Sequence, residues 1–209
     1  MAEPILLSGN VIVSGSLVVG GDQDEVPRSR ITQDVLAAYM LPWKLWTQWN
    51  DMAVPLPSTS ANDDLGLYGN TFGTGSPAIE TYDVQDAGAL TLYARTQFQM
   101  PPEYDTAKTV QIRAKAGMVT NVADNSCTID FQAYESDNEA GIGADLVTTA
   151  ATTMNSLTAA NKDFTVTASG LLPGDWLDIR MAVAVNDAAT GAEVIARIGY
   201  CAVLMDIRG

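Results

Sequence analysis

Apolar and polar positions alternate along most of the last two thirds of the chain. The pattern is clearest in Ala89 to Met100, Thr109 to Met118, Cys127 to Glu135, Phe164 to Ser169, Trp176 to Val185 and Val194 to Ile207. Each stretch is a period-two pattern or a short apolar run bounded by turn residues, and each predicts a β-strand. In the first, Thr91, Tyr93 and Arg95 fall on one side and Leu92, Ala94 and Thr96 on the other; in the second, Val110, Ile112 and Ala114 oppose Gln111, Arg113 and Lys115. Such segregation is expected of strands with one wet face. No amphipathic helices alternate with these strands, so the pattern predicts a β-sandwich or jelly roll over residues 64–209 and not a doubly wound α/β fold.

The N-terminus has a different texture. Ser8-Gly9-Asn10-Val11-Ile12-Val13 is followed by Ser14-Gly15-Ser16-Leu17-Val18-Val19, a six-residue unit repeated once. Each unit reads as a three-residue strand with a Ser-Gly turn, and two such rungs are too small to bury their own apolar faces. Residues 1–21 therefore predict a β-repeat arm that needs partners. Three copies wound about a common axis through Val11, Val13, Leu17 and Val19 would supply them and leave few open edges; a hairpin docked on the main domain is the alternative.

Residues 22–63 read as a connector. Asp22 to Arg30 is polar and broken by Pro27. Thr32 is placed to N-cap a short helix through Asp34, Val35, Leu36 and Tyr39, ended by Pro42, which could in turn open a second short helix. Trp43, Trp46 and Trp49, spaced by three, would then share one face, and Val54 to Asp63 would form a second loop.

Composition narrows the function. Apolar residues make up 47% of the 209 residues, enough for a core, and charged residues only 17%, below the roughly 25% of ordinary globular domains. The net charge of −14 comes from 25 acidic and 11 basic residues, which argues against nucleic acid as partner because phosphate binding rests on clustered Lys and Arg. It also disfavours anionic membranes, and no run of 18 or more apolar residues is long enough to span one, so a soluble chain is expected. The start, Met-Ala-Glu-Pro, lacks the features of a secretory signal, which predicts synthesis in the cytoplasm. Cys127 and Cys201 each sit in an alternating stretch and are expected to be buried, reduced thiols.

The absence of histidine removes Ser-His-Asp and Cys-His catalysis and most zinc sites. No phosphate-cradling glycine motif occurs. Paired carboxylates are left, at Asp22, Asp24 and Glu25, at Asp63 with Asp64 and at Asp83 with Asp86, but these lie in or near predicted loops, and the spacing of a calcium loop is missing. The expectation is a binding protein, not an enzyme, with no cofactor and no metal. Its most pointed feature is the tryptophan set: Trp43, Trp46 and Trp49 could anchor a protein partner, pack under the sandwich or between subunits, or stack on sugars.

The repeat Ser8 to Gly21 resembles the start of phage fibre and head-decoration (cement) proteins. Gly170-Leu171-Leu172-Pro173-Gly174-Asp175-Trp176-Leu177-Asp178-Ile179-Arg180, followed by a long final strand, is similar to their jelly-roll domains. The resemblance implies a homotrimer on the outside of a virion that binds and stabilises the major capsid protein. The alternative is a head- or tail-fibre protein recognising a host surface glycan.

Overall fold

The computed structural model describes residues 36–69, 71–84, 88–136, 142–187 and 192–208. The N-terminal arm with Val11, Val13, Leu17 and Val19, the acidic residues Asp22, Asp24, Glu25 and Asp86, and the proposed cap Thr32 lie outside the described residues.

The chain is a two-sheet β-sandwich of jelly-roll type. Ten strands are described: β1 (Ala37–Met40), β2 (Gly66–Tyr68), β3 (Ala78–Glu80), β4 (Gly88–Gln99), β5 (Val110–Met118), β6 (Ser126–Glu135), β7 (Thr152–Thr153), β8 (Ala160–Val166), β9 (Trp176–Asp187) and β10 (Ala196–Met205). One sheet runs β2-β3-β10-β5-β8, with β1 also paired to β10, and the other runs β4-β9-β6-β7. Every pairing between named strands is antiparallel.

The inward residues predicted by alternation meet between the sheets. Leu92 and Ala94 of β4, Ile129 and Phe131 of β6, and Ile179, Met181 and Val183 of β9 face Ile112 and Ala114 of β5, Phe164 of β8 and Val203 of β10 in one buried cluster. Phe131 and Phe164 meet edge to face at 5.0 Å and 61° across the two sheets, a geometry that adds about 0.5–1.5 kcal/mol to their burial. Both thiols are free and buried. Burial pushes that of Cys127 up to about 12 and that of Cys201 up as well.

Two local devices set the register. Gly174 adopts a φ of 97°, as the Pro173-Gly174 turn before β9 requires. In β10, Ile198 pairs with Ala116 and Tyr200 with Lys115, leaving Gly199 as an extra residue in a β-bulge. Ile198 and Cys201, three apart, are consequently both buried.

The predicted helix through Leu36 and Tyr39 is not found. Ala37 to Met40 pair with Met205 to Ala202 as a strand: Tyr39 leans on Phe98 at 6.0 Å and donates a hydrogen bond to Glu103, while Ala38 and Met40 face outward. A segment this short before a proline gains more from the open edge of β10 than from an isolated turn of helix. The second helix shrinks to one 3-10 turn, Trp43–Leu45, and Trp46 is already extended. The connector then closes on the sandwich, with Leu41, Trp46 and Leu56 in the core.

Candidate functional site

The outer face of the β4-β9-β6 sheet carries the polar halves of three alternating strands. Register places them in rows across the sheet: Gln97, Asp178 and Tyr134; Arg95, Arg180 and Gln132; Tyr93, Ala182 and Asp130. The free edge of β4 is covered by the connector, where Thr47 and Arg95 exchange backbone hydrogen bonds at 2.8 and 3.1 Å and Tyr93 exchanges them with Asp63 and Leu65 at 2.8 Å. This covering strand end delivers Trp49 to the rim of the face.

There Trp49 donates its indole N–H to Asp63 at 2.9 Å and leans on Tyr93 with ring centroids 5.1 Å apart. The guanidinium of Arg180 lies 5.4 Å from the Trp49 ring and 5.0 Å from that of Tyr93, within cation–π range of both. Arg180 also donates to the Gln132 side-chain oxygen. Arg95 holds Asp178 through a two-pronged ion pair, Nε to Oδ1 at 2.7 Å and Nη2 to Oδ2, and that hydrogen bonding raises the Arg95 pKa further. Trp49, Arg95, Gln132, Tyr134, Ile142, Asp178 and Arg180 line an open cleft of about 250 Å³. Burial pushes the neighbouring Asp130 carboxyl up, an effect that Asp145 reinforces and Arg180 opposes.

Aromatic side chains beside fixed donors suit a ligand that presents hydroxyl groups around a flat apolar face, the pattern of a sugar ring.

The three tryptophans do not share a face. Trp46 is 1% exposed, in the core, with its indole N–H unpartnered; Trp43 is half-buried against that core; only Trp49 reaches the cleft. The extended backbone after Leu45 breaks the spacing of three that a helix would have exploited. Arg95 was legible as a wet-face residue and Gln132, Tyr134, Asp178 and Arg180 as members of predicted strands, but only the register brings them together. Of the acidic pairs, Asp63 holds Trp49, Asp64 is buried with one carboxylate oxygen unpartnered, and Asp83 accepts a hydrogen bond from the Val194 N–H. Among the described residues no group of three or more acidic or cysteine side chains is arranged to hold a metal ion.

No family model and no curated protein matches this sequence. Solved structures do resemble it. The CBM22-2 xylan-binding domain of Paenibacillus barcinonensis Xyn10C aligns at 10% identity and a TM-score of 0.40, covering 70% of this chain and 89% of that one. The xylan-binding module CBM15 aligns at 10% identity and 0.41, covering 83% and 99%. An apo cyclase from Fischerella sp. aligns at 11% and 0.44, covering 89% and 95%. None of these three is a phage decoration or fibre protein; the ligand of the present chain has to be argued from its own cleft.

Proposed function

We propose that this chain is a non-catalytic glycan-binding protein whose site is the cleft on the β4-β9-β6 face. One observation carries the reading: Trp49, Tyr93 and Arg180 form a fixed aromatic and cationic platform beside the Arg95–Asp178 pair and Gln132. Donors held in place by one another lose little entropy when a hydroxyl arrives. Within the virion setting implied by the N-terminal resemblance, this favours a receptor-recognising fibre protein over a capsid decoration protein. A clamp on the major capsid protein wants a broad contact with an apolar centre, whereas this site is a small open cleft.

Affinity electrophoresis through gels holding soluble polysaccharides tests the reading. Retardation by at least one polymer is expected, weakened about tenfold or more by Trp49→Ala or Tyr134→Ala, with no new reducing ends released. A panel that leaves the chain unretarded would sink the proposal. Copy number in purified particles separates the two virion roles, a handful per particle for a fibre against near-stoichiometry with the shell for decoration; the native mass tests the homotrimer.

A further inference from the structure

We infer that the glycan read by this cleft carries an anionic group, taken up by the guanidinium of Arg180; this rests on the glycan reading above.

Arg95 and Arg180 stand directly opposite each other on β4 and β9, a like-charge pairing that costs stability unless each charge is compensated. Arg95 is compensated by Asp178. Arg180 is not: it takes part in none of the ion pairs among the described residues, and its cross-strand neighbour on β6 is the neutral Gln132. In a chain with 25 acidic residues against 11 basic ones, a cation flanked by an arginine and a glutamine stands apart. Two carboxylates stand in the rows on either side: Asp130, which acts on it at longer range, and Asp178, which is already engaged by Arg95.

The guanidinium is also held in place. The rings of Tyr93 and Trp49 lie 5.0 and 5.4 Å from its central carbon, and Gln132 takes one of its five N–H donors. A planar fork fixed in this way matches the two oxygens of a carboxylate, or two of a sulfate ester, on a sugar ring seated in the cleft. Uronate-bearing or sulfated polymers fit this description; neutral ones lack the group that Arg180 waits for.

The test compares charged polymers with their neutralised forms. The full chain is run through gels containing polygalacturonate, alginate, glucuronoxylan or a sulfated galactan, each beside its carboxyl-reduced or desulfated counterpart. At least one charged polymer is expected to retard the chain at about tenfold lower concentration than its counterpart, and the arm that responds identifies carboxylate or sulfate. Arg180→Gln should abolish that preference while leaving the melting temperature within a few degrees, and Arg180→Lys should recover it only in part, because an ammonium cannot form the two-pronged contact. Equal retardation by charged and neutralised polymers, or an Arg180→Gln chain that keeps the preference, overturns the inference. Binding to neutral polymers alone would do so while leaving the glycan reading intact, and binding to none would remove both.

Discussion

Trp46 and Trp49 are three residues apart and do opposite things. Trp46→Ala should cost about 3–5 kcal/mol in chemical denaturation, the range for emptying a large aromatic site in a core, and should leave any retained folded protein able to bind. Trp49→Ala should reverse the profile, with a small change in stability and a large loss of binding. Asp178→Asn leaves Arg95 without its carboxylate; the pair is only partly shielded, with side-chain exposures of 28% and 10%, so a loss of about 2 kcal/mol is expected, below the 3–5 of a fully buried pair. Asp64 makes a prediction in pH. Burial, the largest cause, raises its pKa, as it does for Asp130. Folding therefore takes up protons in the window above an ordinary aspartate value of about 3.9. The stabilising contribution is fully present below that value and is lost as pH rises through the folded-state pKa. Thermal melts should show stability falling from these groups as pH rises above about 4, and Asp64→Asn should raise the melting temperature at pH 7 and flatten the slope.

At the scale of elements, what was legible depended on length. β4, β5, β6, β9 and β10 are 9 to 12 residues long, and their alternation was readable because each repeats the in-out pattern several times. β2 and β3 have three residues each and β7 two, too few for any period. The first half of β8 was invisible for another reason: Ala160 to Asp163 lie on a sheet edge and bury little, so their sequence carries no apolar mark. β1 was mistaken for helix because its neighbour, the edge of β10, lies more than 160 residues away along the chain. The cleft shared this fate. Most of its residues stood within predicted strands, but the rows across β4, β9 and β6 are a property of pairing, and Trp49 arrives from a segment that local spacing assigned to a helix. Close approach of elements is equally hidden: a Cβ on Gly66 would lie 2.3 Å from the Ser60 nitrogen, so Gly66→Ala should cost more than about 1 kcal/mol in thermal melts despite the mild change. A chain beginning at Leu41 lacks β1, exposes part of the β10 edge and should melt lower and aggregate sooner by light scattering.

For the whole molecule, the charge of −14 repels itself, and added salt shortens the range of that repulsion to about 8 Å at physiological ionic strength. The melting temperature should therefore rise between low salt and 0.15 M. Under the proposed reading, recognition of an anionic polymer by so acidic a chain would depend on the local field at Arg180 and not on long-range attraction by overall charge.

The extra residue at Gly199 gives β10 an unusual arithmetic. A strand normally tolerates changes of identity and rejects changes of length, since removing one residue inverts the parity of everything beyond it. Here the parity is already offset by one, and the partner strand runs on without a gap from Ala116 to Lys115. Deleting Gly199 would leave Ile198 and Cys201 two apart and facing the same way, restoring an ordinary ladder with Cys201, Val203 and Met205 still inward. Deleting Ala202 would turn Val203 and Met205 out of the core. Indels in this final strand should therefore be survivable at one address and ruinous a few residues later.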